Sequence, residues 1–166
     1  MMLITAVVAA TILITAVFPV VWTMVSTFSS ASHETDTRMR TDFKIVTTYA
    51  CGSAACAPGT RYIAKVWVKN IGSSRIGLAE INQSDVVIGL TSNFNRATYD
   101  SSCGLGPTNE WCYVISETPS PNGYWDPGET LQIYAYNSVI NAASQNVYFQ
   151  FILPNAVWRS SEFTTT

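Results

Sequence analysis

Charge is what this sequence has least of. Of its 166 residues 12% are charged, nine Lys plus Arg against eleven Asp plus Glu, for a formal net charge of −2. No basic field exists to hold a phosphate backbone, which excludes nucleic acid as a partner. Histidine is almost missing as well. His33 is the sole one, and with no Ser or Cys relay assignable to it, it reads as a solvated helix residue. There is no Gly-x-Ser-x-Gly elbow, phosphate loop, His-Glu-x-x-His motif or pair of carboxylates at a recognisable spacing, so no catalytic constellation stands out and neither cofactor nor metal is expected. What is abundant is apolar side chain, 48% of residues, too much core material for a disordered polymer.

The few charges are unevenly placed. None precedes Glu34. The stretch from Met1 to Phe28 would span about 42 Å as a helix, enough to cross a bilayer. A secretory signal peptide needs a basic n-region and a shorter apolar core than this. A helix apolar all round cannot be covered by the residues that follow it, so a core helix of a soluble monomer is disfavoured. Two destinations remain, a membrane anchor and a helix that leaves the membrane to pack against copies of itself. The missing positive flank fits removal of a short basic leader and favours the second. Ala6, Ala9, Ala10 and Ala16 permit close helix approach, Thr5, Thr11 and Thr15 can bond backbone carbonyls, and Pro19 should kink the helix where neighbours compensate.

Neither proline nor glycine stops the helix after Phe28 until Gly52. Continuation to about residue 40 is expected, supported by the pairs Glu34 with Arg38 and Asp36 with Arg40. From Asp42 the period changes to two. Phe43–Ala50, Tyr62–Lys69, Ile76–Ile81, Asp85–Thr91, Glu110–Ser116, Thr130–Tyr136 and Asn146–Leu153 are short, rich in Val, Ile, Tyr, Trp or Thr, and bounded by turn residues. The fold class that follows is α+β: a long hydrophobic α-helix over residues 1–41, then an all-β immunoglobulin-like sandwich of about seven strands over residues 42–166. In Tyr62–Lys69 and Asn146–Leu153 one face is apolar and the other amphipathic, with aromatics placed to meet a neighbouring subunit.

All four cysteines lie in the β part, in or beside Gly/Ser/Pro loops. Two local bridges, Cys51 with Cys56 and Cys103 with Cys112, are the simplest of the three connectivities. Zinc would need closer pairs or histidines. Disulfides place the domain in an oxidising space outside the cytoplasm. Asp126-Pro127-Gly128-Glu129 reads as a Pro-Gly turn with two solvated carboxylates, because the alternating acidic ligands of a calcium loop are absent. Asn82-Gln83-Ser84 is the one Asn-x-Ser/Thr sequon, which makes Asn82 a glycosylation candidate.

The layout of a charge-free helix leading into a β domain resembles the archaellins, subunits of the archaeal motility filament in the type IV filament superfamily. Similarity extends to Val68-Lys69-Asn70-Ile71-Gly72, to the strand start Ser84-Asp85-Val86-Val87, and to Trp125-Asp126-Pro127-Gly128-Glu129. Subunits of that superfamily often carry glutamate at the fifth mature position; counted from Met1, this chain has Thr5. The resemblance implies a structural subunit of an extracellular filament for motility or adhesion. It also implies membrane insertion before assembly, homo-oligomeric packing of the helices, and an external assembly ATPase and platform as partners. A membrane-anchored β-sandwich for binding, adhesion or filament anchoring is the alternative.

Overall fold

The computed structural model describes residues 2–52, 62–104, 108–116 and 122–166. Two compact units make up the chain, residues 1–37 and 38–166. The helix α1 runs Met2–Arg40, continuous through Pro19, with Arg38 and Arg40 in its last turn, where cations meet the negative end of the helix dipole.

In the second unit ten strands follow: β1 (Phe43–Cys51), β2 (Ile63–Asn70), β3 (Ile76–Gly77), β4 (Asp85–Leu90), β5 (Asn93–Tyr99), β6 (Glu110–Ser116), β7 (Tyr124–Trp125), β8 (Thr130–Tyr136), β9 (Asn146–Ile152) and β10 (Trp158–Thr164). A five-residue helix, α2 (Leu78–Asn82), follows β3 directly. Eight strands run in the order β1-β2-β8-β6-β5-β4-β9-β10, and β3 pairs with β7 in a separate ribbon. A sandwich of many strands behind a long helix is therefore the architecture, as expected from the sequence.

Every neighbouring pair is antiparallel except β5 and β6, which meet in parallel at Thr98↔Glu110 and Tyr99↔Trp111. That junction joins a layer of β1, β2, β8 and β6 to a layer of β4, β9 and β10. Val66, Val68, Leu131 and Ile133 on one side, and Val86, Ile88, Val147, Phe149 and Phe151 on the other, are all 0% exposed. Aromatic rings lock the layers together. Phe151 meets Phe43 edge-on at 5.4 Å between centroids and Trp111 at 6.0 Å, arrangements worth about 1 kcal/mol each beyond area burial. Although β1 and β10 end the strand order, Thr166 N–H donates to Ala50 O at 3.0 Å and Arg159 pairs with Asp42, so the outer strands close on each other.

Three differences from the sequence reading have physical causes. Ile76–Ile81 is not one strand. Only Ile76 and Gly77 pair, and the chain then turns into α2, whose start is fixed by Gly77 N–H donating to Glu80 Oε2 at 3.1 Å; glutamate three residues after the cap is the signal that marks such a start. Strand β5 was missed because Ala97 alone on it is buried. Strand β10 has no legible pattern because its two apolar residues, Trp158 and Phe163, stand five positions apart and so on opposite faces, leaving no apolar period of two to read.

Candidate functional site

Three features carry functional information: the surface of α1, a polar node beside its C-terminal end, and the outer face of the β1-β2-β8-β6 layer.

Along α1 the apolar side chains point in every direction and are open. Thirteen of them between Val7 and Phe28 are at least half exposed, Leu13 at 68% and Trp22 at 63% among them. At about 1.5 kcal/mol or more per side chain, leaving them in water would cost on the order of 20 kcal/mol, beyond the whole stability of an ordinary domain. Length and composition suit the helix to cross a membrane. Threonine hydroxyls along it are satisfied within the helix itself. Thr11 donates to Val7 O at 2.7 Å, Thr15 to Thr11 O at 2.9 Å, Thr23 to Pro19 O at 2.8 Å and Thr27 to Thr23 O at 2.8 Å, so no polar atom of these side chains demands water. Ala16 is exposed, as is Pro19. Ala6, Ala9 and Ala10 lie outside the described side chains.

The node is built from the two short stretches that gave the sequence its resemblance. Asn70, fully buried, donates from Nδ2 to Ser74 O and Trp125 O, both at 3.0 Å, and its Oδ1 accepts from Gly72 N–H at 3.0 Å. Its backbone N–H donates to Glu129 O at 3.0 Å and its carbonyl accepts from Gly128 N–H at 2.8 Å. Trp125 Nε1 also donates to Glu129 O, at 3.0 Å. The turn after Asn70 then reaches residues 40–42: Ile71 and Gly72 donate to Asp42 O at 3.0 and 2.9 Å, and Ser73 and Ser74 to Arg40 O at 2.9 and 3.2 Å. A carbonyl at the helix end that would otherwise lack a partner is thereby satisfied. Asp126 and Glu129 are not free ligands: Asp126 pairs with Arg75 at 3.1 Å and Glu129 Oε2 accepts from Asp126 N–H at 2.8 Å.

Cys103 and Cys112 form a disulfide, with Cα atoms 5.3 Å apart. Cys112 is 2% exposed and packs with Ile63 and Tyr136 on the outer face of β6. Cys56 lies outside the described residues and Cys51 outside the described side chains, so that expected bridge is not part of the description. Asn82 is exposed at the end of α2, and its Oδ1 accepts from the Tyr113 hydroxyl at 2.7 Å. Burial, with Tyr99 stacked beside it, pushes the Tyr113 phenol well above its ordinary pKa. Among the described residues no group of three or more His, Cys, Asp or Glu side chains could hold a metal ion.

The outer layer carries a pattern that sequence reading sensed only as amphipathic. Cross-strand register sets Lys44 beside Lys69, Trp67 between Thr47 and Gln132, and Lys65 between Tyr49 and Tyr134.

Comparison with known proteins adds the family. An uncharacterized protein of Archaeoglobus fulgidus is 27% identical over 164 residues, 98% of this chain and 93% of that one. Among solved structures, the archaeal flagellin FlaB1 of Methanocaldococcus jannaschii matches with a TM-score of 0.55 at 12% identity, over 75% of this chain and 90% of that one. The archaeal flagellum of Methanospirillum hungatei matches with 0.54 at 13% identity, over 98% of this chain and 91% of that one. The archaellum periplasmic stator protein FlaG of Sulfolobus acidocaldarius matches with 0.53 at 20% identity, over 74% of this chain and 99% of that one. These likenesses are of fold. The sequence itself matches a family across residues 1–163, and the chain belongs to the archaeal-type flagellins.

Proposed function

We propose that the chain is a non-catalytic structural subunit of a cell-surface helical filament of the archaellum type, assembled by packing of α1 against identical helices. The exposed surface of α1, free of charge as far as His33, carries this reading. It suits lipid before assembly and neighbouring helices afterwards, and its internally bonded hydroxyls make either environment tolerable. Exchange of lipid for protein brings no hydrophobic gain, so close packing, outer-domain contacts and an external assembly ATPase must drive it. Head-to-tail contacts that do not close on themselves extend without limit. The disulfide-bearing sandwich forms the outside of such a fibre, in an oxidising space, and Asn82 is a surface position for a glycan. Motility or adhesion is the output.

A second reading has its own support: the fold likeness to the stator protein FlaG spans 99% of that chain. There, α1 only tethers one β-sandwich.

Negative-stain microscopy of surface appendages from cells producing the chain separates the two. Long fibres of constant diameter containing many copies are expected; discrete particles in detergent, one copy per complex, would leave the tether. Ala16→Trp places a large ring on the exposed surface of α1 and is expected to abolish fibres while the Cys103–Cys112 domain stays folded. Unchanged fibres with this variant would count against close helix packing.

A further inference from the structure

All three lysines of the sequence, Lys44, Lys65 and Lys69, fall on one sheet face. Register places Lys44 directly opposite Lys69 across β1 and β2, and Lys65 lies on the same face of β2, two outward positions along. Like charges directly opposed across a sheet destabilise it. Among the described residues no carboxylate shares the two rows in which the lysines stand or the row between them: beside Lys44 and Lys69 are Thr130 and Ser116, beside Trp67 are Thr47, Gln132 and Val114, and beside Lys65 are Tyr49, Tyr134 and the disulfide-bonded Cys112. Glu110 belongs to the next row, opposite Tyr136. A chain of net charge −2 thus concentrates its three lysines on one face, where Glu110, one row further on, is the nearest carboxylate by register among the described strand residues.

Between the lysines lie rings. Tyr49 and Tyr134 flank Lys65 within one row, about 10 Å apart by strand spacing, and Trp67 occupies the next. Lys65 Nζ stands 5.6 Å from the centre of the Tyr134 ring. Tyr49 is 42% exposed, and Val114 is the one aliphatic side chain of these three rows that is largely open.

We propose that this face binds an acidic polysaccharide. A pyranose has an apolar C–H face that stacks on aromatic rings and a rim of hydroxyls suited to Thr47, Gln132 and Thr130, while carboxylate or sulfate groups along the polymer relieve the Lys44–Lys69 opposition. The array is four strands wide, which suits an extended chain. Its open aliphatic side chains are single ones, Val114 and Val46 in the β1 bulge, too few for the apolar centre that a protein interface needs or the apolar face that a membrane surface would take up. The inference holds equally for a subunit within a fibre and for a single tethered copy.

The test uses the full chain in non-ionic detergent, with polygalacturonate and heparin as acidic probes and dextran as the neutral one, binding being followed by affinity electrophoresis. Retention by both acidic polymers and not by dextran is expected, weakening as salt rises. Lys65→Gln with Lys69→Gln should weaken it roughly tenfold, the order expected for losing two charge contacts. Trp67→Ala should weaken it several-fold at unchanged net charge, and Arg96→Gln, which removes a cation from the other layer, should leave it intact. Absence of retention, equal losses from Arg96→Gln and the lysine pair, or no effect of Trp67→Ala would each overturn the proposal. So would a preference for phosphatidylglycerol over phosphatidylcholine vesicles that the lysine pair abolishes without any retention by polygalacturonate, which assigns the face to a membrane.

Discussion

The side-chain amide of Asn70 donates to the carbonyl of Trp125, 55 residues further along the chain, at 3.0 Å in a buried setting. Two short stretches that read in the sequence as separate motifs are one hydrogen-bonded object. Because Asn70 uses both its amide donor and its acceptor there, Asn70→Ala takes the side-chain donor from the carbonyls of Ser74 and Trp125 and leaves Gly72 N–H with Asp42 O as its remaining acceptor. A loss of about 2–4 kcal/mol is expected. Asn70→Asp should be no milder, since a carboxylate cannot donate to either carbonyl. Urea unfolding of the full chain in detergent checks both, and an unchanged midpoint for Asn70→Asp would remove the node's claimed importance.

Gly72 and Gly128 sit in the same node for different reasons. A Cβ on Gly72 would come within 2.4 Å of Arg40 O and 2.6 Å of Asp42 N, both backbone atoms, whereas at Gly128 there is open space but φ is +92°. Gly72→Ala is therefore expected to cost about 3 kcal/mol, through overpacking that no side chain can relieve. Gly128→Ala should cost only about 1–2 kcal/mol of backbone strain. The ranking of the two unfolding midpoints is the measurement; the reverse order refutes the close-approach argument.

Opening the Cys103–Cys112 bridge frees a loop with a sequence separation of 9, for which chain entropy predicts a loss of about 2–3 kcal/mol. The double variant Cys103→Ser with Cys112→Ser should reproduce what reductant does to the natural chain, and reductant should then have no further effect through this bridge. Denaturant unfolding with and without reductant reads both.

Tyr113 carries a pH dependence whose sign follows from its environment. Its folded pKa is raised by burial and by Tyr99, so the folded state holds the phenolic proton more tightly than the unfolded chain does. This contribution is intact below the unfolded tyrosine pKa of about 10 and is lost progressively as pH rises above it. Tyr113→Phe removes the titrating group, and the hydrogen bond to Asn82 with it. The variant's stability should fall less steeply between about pH 10 and 12 than that of the natural chain. Parallel curves from thermal melts across that range would contradict the assignment.

How much of this was readable beforehand depends on burial. Strands β2 and β9 announce themselves because Ala64, Val66 and Val68, and Val147, Phe149 and Phe151, alternate with partly exposed residues. Strand β10 does not, since Phe163 is its one apolar residue packed against the core and its neighbours at the period of two are Ser161 and Thr165. The helix was legible because charge is missing from it as far as His33 and because neither proline nor glycine ends it between there and Arg40. The Asn70 node was visible as two stretches but not as one site: hydrogen bonds across 55 residues leave no periodicity. The lysine face escaped for a related reason. Lys65 and Lys69 are near in sequence, but Lys44 joins them only through the β1–β2 register, which a bulge between Ile45 and Thr47 shifts by one residue.

The strand order also has a temporal meaning. β1, which comes first, lies against β10, which comes last, and β2 is held between β1 and β8, so half the layers cannot close until strands from the far end of the chain have arrived. Such long-range pairing makes folding slow. The apolar helix closes its backbone bonds within itself and waits for no partner strand, whereas β2 keeps an open edge until β8 pairs with it and β9 until β10 does.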